Sequence, residues 1–322
     1  MKRRNSKNNL SGKKVLITGS TGFIGSNLAR IALNHDADVY LLYRATSSKW
    51  RINGIFSFVH GYCVDLSDSR RLNSIISEIQ PDIVYHTAAH GGNSCQKDRQ
   101  RILDSNLMGT INMIDACRKV DLDIFVNTGS SSEYGIKIAS MREDDLLEPV
   151  NDYGISKASA TMYCQAAARN EGLPAVTLRL FSPYGSYEGQ SRLVPSAILA
   201  CLRGENPRIS SRSFVRDFVF IDDVLDAYLK VIDAQDALGE IINIGYGEQH
   251  SVGEVVDIII RLAGDTAFPV VGSPSRWPNE PIKWQADISK ARNVLGWSPK
   301  YDLERGLAAT VDWFKDNTAL YQ

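Results

Sequence analysis

The chain has little of what marks a metalloprotein, a disulfide scaffold or a membrane protein. Its five cysteines, Cys63, Cys95, Cys117, Cys164 and Cys201, are odd in number and contain no Cys-x-x-Cys pair. The five histidines are equally scattered. Neither set has the spacing of a zinc site or a disulfide framework, so no metal is expected, and most of the cysteines read as small core residues in a reducing compartment. No apolar run approaches the roughly 18 residues of a membrane span. After the basic residues Lys2, Arg3, Arg4 and Lys7, the apolar stretch is only Val15-Leu16-Ile17, against at least about seven for a signal-peptide core. Residues 1–11 therefore read as a disordered leader and the protein as cytoplasmic, with no membrane partner. An excess of one charge is also missing. Lys and Arg number 36 and Asp and Glu 37, a net charge of −1, which gives no electrostatic ground for a nucleic-acid partner.

What is present is an ordinary globular composition, 43% hydrophobic and 23% charged over 322 residues, enough to bury a sizeable core. Apolar strand-like runs alternate with helical segments. Strands are expected at Lys14–Thr18, Val39–Tyr43, within Phe56–Val64, and at Ile83–Thr87, Ile124–Thr128 and Ala175–Leu180. Helices are expected from the glycine turn to about Asn34, at Ser69–Ile79, over about Arg101–Lys119 and over Tyr153–Asn170. Phe218–Ile221 and Ile241–Ile244 read as further strands. Strand-helix repetition at this spacing demands an α/β, Rossmann-type doubly wound parallel sheet covered on both faces. Residues 12–183, with returning segments at about 214–245, should form that domain. Residues 184–213 and 246–316, rich in Pro, Gly, Ser and Trp, should form a smaller lobe.

Two motifs carry chemistry. Directly after the first strand stands Gly19-Ser20-Thr21-Gly22-Phe23-Ile24-Gly25, a GxxGxxG loop opening a helix. Its glycines let backbone approach a pyrophosphate, and the helix N-terminus supplies free N–H groups and positive dipole, so a dinucleotide is the expected ligand. About 130 residues later, Tyr153-Gly154-Ile155-Ser156-Lys157 puts a phenol and an ammonium on one helix face. A phenol titrates near pH ~10, and a neighbouring cation favours the phenolate, bringing proton exchange toward neutral pH.

The spacing GxxGxxG followed by YxxxK resembles the extended short-chain dehydrogenase/reductase family, in its nucleotide-sugar epimerase, dehydratase and reductase branch. The likeness runs over nearly all of residues 12–316. It implies that Asp65-Leu66 contacts adenine, that Ala88-Ala89 borders the ribose, and that Asn106 keeps the central strands in place beside the cofactor. It implies that Lys157 also binds the nicotinamide ribose. Thr128-Gly129-Ser130-Ser131-Ser132-Glu133-Tyr134-Gly135 is similar to the family's SSxxxYG stretch, which makes Ser130 the catalytic hydroxyl. Arg216 and Arg276 would clamp a diphosphate, and His90, Ser131, Ser132 and Arg192 fall where relatives meet the sugar nucleotide.

The family's acid at the end of the second strand, which selects NAD, is replaced here by Tyr43-Arg44. That favours NADP, with Arg44 on the 2′-phosphate, while NAD stays the alternative. The Asp-Glu pair of the dehydratases is replaced by Ser131 and Ser132, which disfavours elimination. Two enzymatic readings remain: a 4-ketoreductase consuming NADPH, resembling deoxysugar reductases of the CDP-abequose and CDP-paratose synthase type, and an epimerase retaining NAD. A non-catalytic NADPH-binding sensor or scaffold is a third. By analogy the protein would form a homodimer.

Overall fold

The computed structural model describes residues 10–93, 95–264, 267–272 and 283–321. Strands β1 (Lys14–Thr18), β2 (Asp38–Tyr43), β3 (His60–Cys63), β4 (Ile83–His86), β5 (Ile124–Ser130) and β6 (Ala175–Leu180) alternate with helices α1 (Phe23–Asn34), α2 (Ser69–Ile79), α3 (Arg99–Leu103), α4 (Gly109–Cys117) and α5 (Asp152–Glu171). Short strands β7 (Pro183–Tyr184), β8 (Arg208–Ile209), β9 (Val215–Arg216) and β10 (Val219–Phe220) surround α6 (Leu193–Leu202) and precede α7 (Ile221–Lys230). Then come β11 (Ile241–Ile244), β12 (His250–Ser251), α8 (Val252–Ala263), β13 (Val270–Val271), α9 (Ser289–Leu295) and α10 (Leu303–Asp316).

Seven strands form one parallel sheet in the order β11-β6-β5-β4-β1-β2-β3. The order reverses direction at β1, where β4 lies on one side and β2 on the other, and ligands of such sheets sit at that switch. The central strands are buried along nearly their whole length, as their continuous apolar runs require. Helix α2 puts Leu72, Ile75, Ile76 and Ile79 on the sheet, where they pack with Leu16, Val84, Phe125, Met113 and Ile114. The i, i+3, i+4, i+7 spacing of those four residues is the reason this segment is a helix with one buried face. Its start is capped by Asp68, whose carboxylate accepts the Arg71 N–H at 3.0 Å, and its end at Gln80 is left-handed.

The chain divides into two compact units. The first comprises Met1–Glu133, Pro149–Arg179 and Ala227–Ile242, and the second Tyr134–Glu148, Leu180–Asp226 and Asn243–Gln322. The segment Tyr134–Glu148, expected with the sheet domain, groups with the second unit, and the return to the first is shorter than 214–245.

The third strand, expected within Phe56–Val64, occupies His60–Cys63 there, after a 3₁₀ turn at Asn53–Phe58. Two element expectations need correction. The helix expected over 101–119 is interrupted by a π turn at Asp104–Met108. Phe218–Ile221 is not a four-residue strand: β10 is two residues long and Ile221 already opens α7. Most of the cysteines are core residues, as expected: Cys117, Cys164 and Cys201 are buried, while Cys63 and Cys95 are exposed.

Candidate active site

The glycine loop is shaped by collisions that only glycine avoids. Gly19 has φ +63°, and a Cβ there would lie 2.6 Å from the Ala88 nitrogen. One at Gly25 would lie 2.5 Å from the Gly19 carbonyl oxygen and 2.8 Å from Thr87 Oγ1. The loop is thereby pressed onto the end of β4, and α1 starts at Phe23 with no side-chain cap on its first N–H groups. An uncapped helix start behind a glycine turn is an anion cradle. It opens into a pocket of about 160 Å³ lined by Gly19, Thr21, Gly22, Tyr43, Arg44, Ser47, Asp65, Leu66, Ala88 and Ala89, among others. Of the residues read from sequence as cofactor contacts, Gly19, Thr21, Gly22, Arg44, Asp65, Leu66, Ala88 and Ala89 converge on this pocket. Phe23, Ile24 and Gly25 belong to the first turns of α1 behind the loop, and Asn106 and Lys157 lie outside its lining, on the π turn and α5. The chemistry fits a dinucleotide: open N–H groups for the pyrophosphate and an apolar Leu66 wall for the adenine. Burial opposes the Asp65 charge, but the Ser67 N–H and hydroxyl and the nearby Arg44 and Arg101 hold its carboxyl below the usual range.

Asn106 sits in the π turn, buried, and its carboxamide serves another purpose than holding strands. It accepts the His90 N–H at 2.7 Å and donates to the His90 carbonyl at 2.8 Å and to Ser156 Oγ at 2.8 Å. The loop after β4 is therefore pinned to α5. That loop lies against Tyr153: a Cβ on Gly92 would stand 3.8 Å from the phenol oxygen. His90 is buried with no partner on Nδ1. Burial, then the charges of Arg101 and Arg44, push its pKa down against the pull of Asp98, so the ring is neutral at pH 7. His86 is neutral too, held between Thr18 and Thr110 hydroxyls at 2.8 and 2.9 Å and pushed to about 3 by burial and by Lys157.

Tyr153 is the second residue of α5 and Lys157 comes one turn later. The helix start is fixed by Asn151, whose side chain accepts the Gly154 N–H at 2.8 Å. Gly154 allows a close approach to the end of β5, because a Cβ would fall 2.5 Å from the Ser132 carbonyl oxygen. Lys157 is fully buried; burial draws its ammonium below the ordinary value, opposed by the charge of Glu133 and by Cys164. Ser130 closes β5, with its hydroxyl accepting the Ser132 N–H at 3.2 Å. Ser131 is buried and Ser132 half-buried in the 3₁₀ turn that follows. Sequence reading missed Glu133 and Arg179, which form a fully buried pair at 2.9 Å. The sequence shows only an acid in an otherwise serine-rich turn; the partner that gives it meaning stands 46 residues away.

The second unit holds the remaining candidates. Arg216 lies in β9, its guanidinium donating to the Val215 carbonyl at 2.6 Å and lying 5.3 Å over the Trp284 ring. Arg192 is exposed at the cap of α6, and Arg276 falls outside the described residues. Next to Arg216, buried Asp217 accepts N–H groups from Tyr246, Gly247 and Ala286 at 2.6, 3.0 and 2.9 Å. Burial still pushes its carboxyl up to about 6. No group of three or more His, Cys, Asp or Glu among the described residues could hold a metal ion, and no helix among them is long and apolar enough to cross a membrane.

Comparison with known proteins agrees with this anatomy. The chain is 31% identical to UDP-glucuronic acid 4-epimerase from Bacillus cereus, solved with UDP-glucuronic acid and NAD, over 94% of this chain and 99% of that one, with a TM-score of 0.84. UDP-glucose 4-epimerase from Thermotoga maritima, solved with UDP-glucose, superimposes with a TM-score of 0.87 at 27% identity, over 95% of this chain and 99% of that one. A dTDP-glucose 4,6-dehydratase of Xanthomonas campestris is 28% identical over 95% of this chain and 94% of its own length. The model of the NAD dependent epimerase/dehydratase family matches residues 15–245. With its glycine cradle, seven-stranded parallel sheet and Tyr153–Lys157 helix, the chain belongs to the NAD dependent epimerase/dehydratase family, the extended branch of the short-chain dehydrogenases/reductases.

Proposed function

We propose that this protein reduces the 4-keto group of a nucleotide-diphosphate (deoxy)sugar with NADPH. The observation that carries the reading is the end of β2, where no carboxylate meets the pocket and Tyr43 and Arg44 line it instead. A ribose 2′-phosphate would meet a guanidinium there rather than a repelling acid. A nicotinamide dinucleotide bound in the glycine cradle supplies the hydride. Tyr153 passes its proton to the sugar oxygen as the carbonyl becomes a hydroxyl, and Ser130 donates a hydrogen bond to that oxygen. The buried Lys157 ammonium favours the phenolate that Tyr153 leaves behind and holds the nicotinamide ribose. Ser131, Ser132 and His90 are the proposed sugar contacts, with Arg216 and Arg276 for the diphosphate and Arg192 as a further substrate contact.

Elimination is disfavoured by the site itself. Ser131 and Ser132 stand where an acid and base would be needed, and the carboxylate that follows them, Glu133, is paired with Arg179. An NAD-retaining 4-epimerase is the second reading, supported by the relatives whose names carry that activity and whose complexes hold NAD. Because Tyr153 and Lys157 are both present, a purely non-catalytic NADPH-binding role ranks below both. A cytoplasmic homodimer completes the proposal, with Met108, Ile155 and Met162 exposed on the first unit, and light scattering of the purified protein checks its mass. The deciding experiment incubates the protein with a panel of nucleotide 4-keto-sugars and follows absorbance at 340 nm. Stoichiometric NADPH oxidation is expected. Protein that purifies loaded with NAD and interconverts two nucleotide hexoses without net absorbance change would overturn the reductase reading in favour of the epimerase.

A further inference from the structure

The Glu133–Arg179 pair stands at the junction of the three elements that make the catalytic site of the first unit. Both side chains have zero exposure. The Arg179 guanidinium, on β6, donates from Nε to one carboxylate oxygen at 3.0 Å, and its Nη2 lies 2.9 Å from the same oxygen in the ion pair. The other oxygen accepts the Ser130 N–H at 2.7 Å and the Thr161 hydroxyl at 3.1 Å. Ser130 is the last residue of β5, and Thr161 lies on α5 one turn beyond Lys157 and two beyond Tyr153, on the same helix face. One carboxylate therefore ties the catalytic strand end to the catalytic helix. The chain makes room for it: a Cβ at Gly129 would fall 2.8 Å from the Glu133 oxygen.

We propose that Glu133 is a positioning residue, a buried clamp that sets the distance between the Ser130 hydroxyl and the Tyr153–Lys157 face of α5. The inference rests on the catalytic assignment made above. Charge gives the clamp a second effect. The groups that face Lys157 are Glu133 from the turn after β5, Cys164 from its own helix and His86 from β4. His86 is uncharged and Cys164 is a buried thiol, so among the described residues it is Glu133 whose charge opposes the effect of burial on the Lys157 ammonium. Arg179 pairs with that carboxylate. An amide at position 133 would neither balance the buried guanidinium nor support the lysine, since its second terminal group is a donor facing donors.

The test is steady-state kinetics and cofactor binding of the full chain, on whichever reaction the substrate panel identifies, with four variants. Glu133→Asp keeps the charge but shortens the reach. It should lower kcat about tenfold or more, leave both KM values within about twofold, and leave the pH profile in place. Glu133→Gln should lower kcat similarly and also move the alkaline limb of kcat down by about half a pH unit or more, as Lys157 gives up its proton sooner. If an unpaired buried guanidinium prevents folding, the charge-neutral double variant E133Q/R179M carries the same expectation. Wild-type kcat in Glu133→Asp, or an unmoved alkaline limb in either neutral variant, overturns the clamp. Tyr153→Phe is measured alongside: if it retains full activity, the catalytic assignment itself has failed, whatever Glu133 does.

Discussion

At the scale of single residues, the proposed reaction would rest on one proton donor and one specificity contact. Replacing Tyr153 by Phe removes the donor and keeps the ring against the His90–Asn93 loop. Turnover should fall by about two orders of magnitude or more, while NADPH affinity measured by fluorescence titration stays the same. More than half of the activity remaining would remove Tyr153 from the mechanism. Arg44 lines the cofactor pocket, and its guanidinium has a 2′-phosphate to bind in NADPH but not in NADH. Arg44→Ala should weaken NADPH about tenfold and leave NADH nearly unchanged, since a charged hydrogen bond contributes on the order of 1.5–3 kcal/mol. Equal weakening of both would mean that Arg44 supports the pocket rather than reading the phosphate.

At the scale of elements, catalysis depends on how closely α5 approaches the end of β5. Gly154 lets the helix start touch the Ser132 carbonyl, where a Cβ would sit 2.5 Å from the oxygen. Gly154→Ala must push the first turn of α5 outward and carry Tyr153 with it. We expect kcat to fall at least about tenfold with the melting temperature little changed, because misplacement near 1 Å is costly to rate. Unchanged kcat would show that the turn can yield without moving the phenol.

The same elements show what a sequence can carry. The glycine loop and the Tyr153–Lys157 pair were legible because each is local, with a spacing that a strand-turn-helix or one helical turn imposes. Tyr43-Arg44 was legible because it ends a strand of obvious β pattern. Glu133 was not, because its meaning comes from Arg179, 46 residues away on a neighbouring strand. Asn106 was found, but its task was misread. Its partners His90 and Ser156 lie 16 and 50 residues off, and the π turn that presents it has no sequence signature as plain as a glycine. Phe218–Ile221 failed for a different reason: an apolar run of four fits a buried strand or a helix start equally well.

At the scale of the whole molecule, stability should carry the mark of Asp217. Its carboxylate receives three backbone N–H groups from the segments around Tyr246 and Ala286, which organises the second unit beside Arg216. Burial nevertheless outweighs those bonds and raises its pKa to about 6, well above the ordinary carboxylate range. A carboxyl raised on folding binds more protons folded than unfolded, so its contribution is fully present below the unfolded value. It is lost as pH rises through about 6. The full span is about 3 kcal/mol, of which about half falls between pH 5 and 7.5. Other titrating groups act on the same interval, so the measurement is a difference between wild type and Asp217→Asn. The variant cannot ionise there, and its amide meets three donors with only one acceptor oxygen, so it should be the less stable at pH 5. The gap in unfolding free energy by urea titration should then narrow by about 1–2 kcal/mol toward pH 7.5. A gap that stays constant, or widens, with rising pH would mean that the three N–H groups hold the carboxylate better than burial disfavours it, and that Asp217 is ionised throughout.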